Sequence, residues 1–187
     1  MALILLTGPA EEPVTLADAR AHLRLDGTEE NALVEALIAA ARAALEAETR
    51  RAFVTQSWRL TLDDWPEGTV QLPLAPVSEV TAVSIADAEG ALLPLDAEIY
   101  ETALAGDTPR LAARRGQVWP MPATRLAGIA IDFTAGYGAA GDVPPPLRQA
   151  LLLLVAHWFE HREPAGAGTE LPRAVTALVA PWRRLHL

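Results

Sequence analysis

The sequence predicts an α+β fold in which a helical bundle forms the core and a small antiparallel β module is inserted into it. Before residue 52 and after residue 139, apolar residues recur at steps of three and four, as they do along one face of a helix. Between these regions, apolar and polar residues alternate in short runs, as they do along a half-buried strand. This order disfavours a parallel sheet, because strands and helices would then alternate strictly.

The predicted division of the chain follows from these periods. Residues 1–52 and 139–168 form the helical core, residues 53–138 form the β-rich insertion, and residues 169–187 form a C-terminal docking segment. Residues 1–6 are apolar, but they lack the basic start and the length of a signal peptide. We therefore interpret them as an N-terminal strand or arm.

Two helices are predicted near the N-terminus. Thr15 is suited to cap the first, over residues 16–25, because its hydroxyl can bond the third helical residue, Asp18. The second helix spans residues 29–51. Its predicted inner face consists of Leu33, Leu37, Ala40, Ala44 and Leu45. The small residues on this face permit close packing against a neighbouring helix.

Short strands separated by turns are predicted for the insertion. They cover residues 56–63, 69–72, 77–85, 91–95, 117–119 and 127–134. The intervening residues are rich in Pro, Gly and Asp, which are typical of turns. We therefore expect a small antiparallel sheet.

A central helix is predicted over residues 147–163. Large apolar residues cover most of its circumference, so it is expected to be buried. Its main stripe consists of Leu147, Leu151, Leu154, Val155 and Trp158. Polar residues such as Arg148 and Glu160 favour a core helix of a soluble protein over a membrane span.

The residues after the predicted linker at 165–168 are interpreted as a docking segment. A short helix over residues 173–180 is expected to end at Pro181. Apolar anchors beside arginines suit partner binding, because the apolar groups supply contact area and the guanidinium supplies directional bonds. The predicted docking residues are Leu171, Val175, Leu178, Trp182, Arg183, Arg184, Leu185 and Leu187. The alternative is a terminus folded back on its own core, and the sequence leaves both open.

Charge and cysteine content limit the classes of function. The formal net charge is −9 and every basic residue is an arginine, which is opposite to the balance of a general nucleic-acid binder. An acidic surface that lets DNA pass without binding, or one that only keeps the chain soluble, fits this balance.

The absence of cysteine excludes disulfides and thiolate metal ligands, so synthesis in the cytoplasm is the default expectation.

One motif on the central helix resembles a zinc site. His157, Glu160 and His161 match the H-x-x-E-H pattern, in which two imidazoles lie four residues apart on one helical face. A zinc hydrolase also needs a third ligand, and only Glu163, Glu170 or His186 follow. Structural or solvated histidines are favoured over a metal site.

A second motif resembles a dinucleotide-binding loop. Gly136, Gly138 and Gly141 match G-x-G-x-x-G, but that site requires a parallel βαβ unit with an acidic residue at the end of its second strand. No strand is predicted after the central helix, so we interpret the glycines as a turn. The sequence shows no other catalytic arrangement, and we predict a protein without enzymatic activity or cofactor.

Several segments in order resemble the phage head–tail connector (adaptor) family. They are PVTLADARAHLR at residues 13–24, FTAGYG at 133–138, the central helix with its prolines at 144–163, and the ending at 171–184. The resemblance covers nearly the whole chain, in the style of versions carried by alphaproteobacterial prophages and gene transfer agents. Its Phe159-Glu160-His161-Arg162 run departs from the aromatic, asparagine and arginine that family members tend to have after the tryptophan.

The resemblance implies a structural protein located in the neck of a virion or phage-like particle. It implies a homo-oligomeric ring, usually of twelve copies, which sits below the portal protein and connects it to stopper or tail-completion proteins. The docking residues would then contact the portal, and double-stranded DNA would pass without specific binding. No membrane partner is implied. The alternative function is a prophage-encoded zinc hydrolase that uses the H-x-x-E-H motif.

Overall fold

The computed structural model describes residues 1–161 and 171–183. The chain divides into two compact units, and each unit is built from two stretches of sequence. The β unit contains Met1–Ala10 and Thr55–Tyr137, whereas the helical unit contains Glu11–Val54 and Gly138–Leu187. The predicted α+β class is confirmed, and the bundle arrangement of the helices stays a prediction.

The β unit contains two antiparallel sheets. In chain order its strands are β1 (Ala2–Thr7), β2 (Gln56–Leu62), β3 (Thr69–Gln71), β4 (Val77–Ala86), β5 (Leu92–Pro94), β6 (Tyr100–Ala103), β7 (Arg110–Ala113) and β8 (Ile129–Ala135). Five strands form one sheet in the order β1-β2-β8-β4-β5, and three form another in the order β3-β7-β6. The sequence predicts residues 1–10 as part of the helical core, but they belong to the β unit because β1 pairs along β2.

The centre of the five-stranded sheet has one apolar face. Leu60 of β2 lies opposite Ile131 of β8, and both side chains are fully buried together with Phe133.

Arg59 and Asp132 face each other across the same two strands, with Arg59 Nε 2.6 Å from Asp132 Oδ1 and one terminal nitrogen of Arg59 2.7 Å from Asp132 Oδ2. The hydrogen bonds to Asp132 raise the pKa of Arg59 against the opposing effect of desolvation.

Two strands of the smaller sheet were missed and one predicted strand is wrong. Strands β6 and β7 have four residues each, and only Leu111 among these residues is buried, so they show too little alternation to be recognised. The predicted strand at residues 117–119 lies in a loop. Pro120 and Pro122 follow it, and proline cannot donate to a ladder of strand hydrogen bonds.

The helical unit contains four described helices. They are α1 (Leu16–Leu23), α2 (Asn31–Thr49), α3 (Pro145–Glu160) and α4 (Arg173–Val179). Helix α1 packs on α2 and α3, α2 packs on α3, and α3 packs on α4. Single 3₁₀ turns lie at Ala140–Asp142 and Ala180–Trp182.

Helix α1 begins with the predicted cap. The backbone N–H of Asp18 donates to Thr15 Oγ1 at 3.1 Å, and the backbone N–H of Thr15 donates to Asp18 Oδ2 at 3.1 Å. The Thr15 hydroxyl also donates to Asp18 Oδ2 at 2.7 Å. These bonds, the hydroxyl bond foremost, lower the pKa of Asp18. Together they form a reciprocal capping box.

The buried face of α2 differs from the prediction. The buried residues are Val34, Ile38, Ala41, Leu45 and Thr49. Leu45 is buried as predicted, but the other predicted residues, Leu33, Leu37, Ala40 and Ala44, each lie one position before a buried residue. The helix is rich in alanine and apolar on several sides, and the packing of its neighbours selects the buried side. Leu33 is exposed as a result.

An ion-pair network fixes the end of α2. Arg42 donates to Glu12 and to Glu46, each at 2.8 Å, and Glu46 accepts the backbone N–H of Phe53 at 2.7 Å. Desolvation alone would lower the pKa of Arg42, but the two carboxylates offset it and raise that pKa. The network therefore holds residues before and after α2 against the helix.

Helix α3 is the buried helix of this unit. The predicted stripe residues Leu147, Leu151, Leu154 and Val155 are buried, whereas Trp158 is half-buried. The helix begins at Pro145, and Pro145 and Pro146 occupy its first turn, where a missing N–H costs little. Arg162 and Glu163, at the predicted end of the helix, lie outside the described residues, as does the predicted linker at 165–168. Within the described residues, no helix is both long enough and apolar enough to span a bilayer.

Candidate functional site

The predicted docking segment begins with α4, which packs on α3. Val175 and Val179 are four residues apart and fully buried, so they occupy one face of α4. The carbonyl of Pro172 accepts the Thr176 N–H at 2.9 Å in the first turn. Residues 171–183 are therefore part of the helical unit and not a loosely attached tail.

The end of the described segment is held by the end of α2. Arg51 Nε donates to the backbone carbonyl oxygen of Trp182 at 2.8 Å, and the guanidinium carbon lies 5.5 Å from the centroid of the Trp182 ring. Arg183 forms an ion pair with Glu48. The bond and the cation–π contact both hold Trp182 against the helical unit.

The predicted docking residues differ in accessibility. Val175 is buried, so it cannot contact a partner while α4 stays in place. Leu171, Leu178 and Trp182 are half-buried, and Arg183 is exposed. Arg184, Leu185 and Leu187 lie outside the described residues. The accessible members among the described residues are thus Leu171, Leu178, Trp182 and Arg183.

An open groove runs beside the exposed side of α4. Its lining residues are Glu48, Leu171, Arg173, Thr176, Ala177, Ala180 and Arg183. Ala177 and Ala180 contribute small apolar side chains to it, and Glu48, Arg173 and Arg183 contribute charged ones. Such a groove can receive an apolar peptide segment with polar neighbours.

The histidine motif on α3 has a local structural role. His161 Nδ1 lies 2.8 Å from the backbone carbonyl oxygen of His157, and the two ring centroids are 4.4 Å apart. Among residues 1–161 and 171–183, no group of three His, Asp or Glu side chains is arranged to hold a metal ion. The other proposed ligands, Glu163, Glu170 and His186, lie outside the described residues.

Two backbone N–H groups within the glycine motif donate hydrogen bonds to carboxylates of the same chain. The N–H of Ala139 donates to Asp142 Oδ2 at 3.0 Å, and the N–H of Ala140 donates to Glu11 Oε1 at 2.8 Å. Gly136 and Gly138 both have φ of 131°, which is the region that favours glycine. The two glycines therefore serve the turn, and these two N–H groups are not available to a phosphate.

Acidic and basic residues of the β unit lie in separate segments of the sequence, a feature that the net charge alone does not show. Residues 60–109 contain acidic side chains and no basic ones, whereas residues 110–131 contain arginine and no acidic ones. The acidic members are Asp63, Asp64, Glu67, Glu79, Asp87, Glu89, Asp96, Glu98, Glu101 and Asp107; the arginines are Arg110, Arg114, Arg115 and Arg125. Counting charge by segment reveals this pattern, although the total of −9 conceals it.

Comparisons with known proteins connect this architecture to particle necks. A family described as phage gp6-like head-tail connector protein matches residues 13–91. A chain from the neck of an empty GTA particle, computed with C6 symmetry, is 33% identical with a TM-score of 0.86, and the match covers 100% of this chain and 97% of that one.

Two further solved structures match over the same extent. A chain in the virion of a native gene transfer agent (GTA) particle is 33% identical with a TM-score of 0.83, and one in the neck of a native GTA particle, computed with C12 symmetry, is 32% identical with a TM-score of 0.83. Each match covers 100% of this chain and 97% of the other. No curated protein matches the chain.

Proposed function

This chain belongs to the phage gp6-like head–tail connector family, and from that membership we infer that it is the adaptor that forms a ring in the neck of a phage-like particle. The observation that carries the proposal is the match over 100% of the chain, at 33% identity, to a chain from a particle neck. A likeness of that extent includes both units, so it is not limited to a shared β module or helix pair.

We propose a ring of twelve copies. A chain similar to this one lies in a neck computed with C12 symmetry, and another lies in a neck computed with C6 symmetry. A twelve-membered ring satisfies both, because a six-fold rotation is contained in a twelve-fold one. The ring would sit below the portal and connect the capsid to stopper or tail-completion proteins.

The negative charge of the chain fits a ring that surrounds passing DNA. Each copy contributes a formal net charge of −9, and an acidic lumen would repel the phosphate backbone. Repulsion avoids the arginine–phosphate contacts that make DNA binding tight and salt-dependent. Double-stranded DNA would therefore pass through without specific binding.

The C-terminal segment remains our proposed contact with the portal, with a smaller set of residues. The groove beside α4 and the side chains of Leu171, Leu178, Trp182 and Arg183 are the accessible parts of that segment among the described residues. Val175 is excluded because its side chain packs inside the helical unit. Docking would use this surface in place, without release of α4.

The chain is a structural, non-enzymatic protein by its family and its similarity to neck structures. The zinc hydrolase alternative has no supporting geometry among the described residues: His161 is bonded to the carbonyl of His157, and no three-ligand cluster lies there. We do not retain it as a second function.

The proposal can be tested in cells that produce the particle. Deleting the gene for this chain should yield DNA-filled capsids that keep their portal but lack tails. Supplying the wild-type chain from a plasmid should restore tailed particles, and supplying the Leu151→Asp variant, which disrupts α3, should not. Tailed particles formed at the normal yield without the chain would contradict an adaptor role.

A further inference from the structure

One loop of the β unit is rigidly anchored and yet displays apolar side chains to solvent. We call residues 114–127, between β7 and β8, the Trp119 loop. Trp119 stacks on Trp65 with ring centroids 4.0 Å apart, and Trp65 Nε1 donates to the carbonyl oxygen of Pro120 at 2.9 Å. At the far end, the Ala127 N–H donates to Asp63 Oδ1 at 2.8 Å. The loop conformation is therefore fixed by the unit itself.

The anchored loop presents three large apolar side chains. The exposed fractions of Val118, Met121 and Leu126 are 84%, 71% and 79%. Exposed apolar residues that occur singly need no explanation, but several on one ordered loop are typical of an interaction surface. The loop holds these side chains in place before binding, so little conformational entropy would be lost on association.

The charge of the Trp119 loop is opposite to that of the chain. It carries Arg114, Arg115 and Arg125 and no acidic residue, although the chain as a whole has a net charge of −9. A partner should therefore offer an apolar surface bordered by carboxylates. A surface of that kind is present on the same chain.

Strand β5 provides the complementary surface. It forms one edge of the five-stranded sheet, and Leu92 and Leu93 on it are 38% and 51% exposed. Glu89 lies before the strand and Glu98 lies after it, and both are exposed in the segment that contains no basic residue. The β5 edge is thus apolar with an acidic border.

We propose that the Trp119 loop of one copy docks on the β5 edge of the next copy. The inference rests on the proposed ring, in which each copy must present two different and mutually complementary surfaces to its two neighbours. Val118 and Met121 would cover Leu92 and Leu93, and the loop arginines would face the acidic border. Unpaired edge strands are normally covered or protected by charge, and this contact covers one.

The contact can be tested by disulfide cross-linking, because the chain contains no cysteine. Val118→Cys copies and Leu93→Cys copies, carrying tags of different length, are produced together in particle-forming cells, and purified particles are oxidised. The expected product is a dimer with one tag of each length, and mass spectrometry should identify the 118–93 linkage. A chain with both substitutions should form a ladder of higher multiples.

A matched control separates specific contact from random collision. Leu33 is an exposed leucine on α2 and is not part of the proposed contact, so Leu33→Cys should give no product with Val118→Cys. If the wild-type chain is present in particles but the 118–93 product does not form, the docking inference is overturned and the proposed function stands. If the wild-type chain is absent from particles, the proposed function itself fails.

A second set of variants tests the charges without cysteine. Arg115→Glu with Arg125→Glu should lower incorporation of the chain into particles by on the order of tenfold, because like charges would meet across the interface. Adding Glu89→Arg and Glu98→Arg to that chain should restore incorporation. Incorporation unchanged by the first pair would overturn the proposal, as would capture of the portal or of DNA by a benzophenone attached at Val118→Cys.

Discussion

Arg51, two residues after the end of α2, donates its Nε–H to the backbone carbonyl oxygen of Trp182, which is 131 positions later in the sequence. The guanidinium group also lies over the indole ring, 5.5 Å from its centroid. Trp182 would be a natural anchor for a partner if it were free. Its attachment to Arg51 means that the described part of the C-terminal segment is fixed before assembly.

The first prediction concerns this attachment. Arg51→Ala removes a buried guanidinium bond and a cation–π contact, so it should lower the free energy of unfolding by about 1–3 kcal/mol. Arg50→Ala, at the exposed neighbouring position, is the matched control and should change stability by less than about 0.5 kcal/mol. Equal unfolding midpoints of the two variants in urea would show that Arg51 does not hold the segment.

The second prediction concerns the buried helix. Leu151→Asp places an unpaired carboxylate at a fully buried position, so it should destabilise the helical unit by several kcal/mol. Gln149→Asp, on an exposed position of the same helix, should leave the melting temperature within a few degrees of the wild type. Thermal unfolding followed by circular dichroism measures both, and an unchanged melting temperature for Leu151→Asp would contradict the burial of α3.

The third prediction concerns the pH dependence of the capping box. The folded-state pKa of Asp18 is lowered by its bonds to Thr15, so its stabilising effect is present above the ordinary carboxyl pKa of about 3.9 and is lost as the pH falls through the lower folded value. Asp18 is exposed, so solvent screens its charge, and Asp18→Asn should cost about 0.3–1 kcal/mol at pH 7 and progressively less in acid.

A double-mutant cycle checks the cause of that effect. Thr15→Ala should cost a similar amount at pH 7, and the two changes together should cost less than their sum, because each removes the same box. Additive losses would exclude the coupling. A stability difference between wild type and Asp18→Asn that does not shrink as the pH falls through the lowered folded-state pKa of Asp18 would also exclude it.

The sequence predicted periodicity better than it predicted which surfaces are covered. The short helix predicted over residues 173–180 is present, and Val175 and Val179 on it are buried. A helical stripe has the same spacing whether it covers its own core or a partner, so the sequence left that choice open. On α2, apolar residues on several sides concealed which face was buried, and the prediction was wrong by one residue.

In the β unit, the sequence predicted the central strands but not the shortest strands or the pairing of β1. Alternation correctly indicated the central strands around Leu60 and Ile131, but β6 and β7 are too short for a recognisable pattern. The pairing of β1 with β2 joins residues that are distant in the sequence, such as Ala2 with Thr61 and Thr7 with Ser57, and no local pattern predicts such a pair. The head–tail connector resemblance is confirmed, and it depended on several motifs in order.

The fourth prediction concerns the histidines on α3. His157→Ala with His161→Ala removes the ring contact and the bond to the His157 carbonyl, both near the end of the helix and away from its buried stripe. We expect the yield of tailed particles to stay within about twofold of wild type, since surface changes are usually nearly neutral. Elemental analysis should find no zinc lost in the variant; stoichiometric zinc in the wild-type chain would reopen the hydrolase alternative.

Electron cryomicroscopy of purified particles would show whether this chain forms the adaptor ring of the neck. We predict twelve copies with the β unit and the helical unit described above, arranged around the DNA channel between the portal and the first tail protein. A neck reconstruction in which this position is occupied by a different protein, or in which this chain is absent from the neck, would contradict the account.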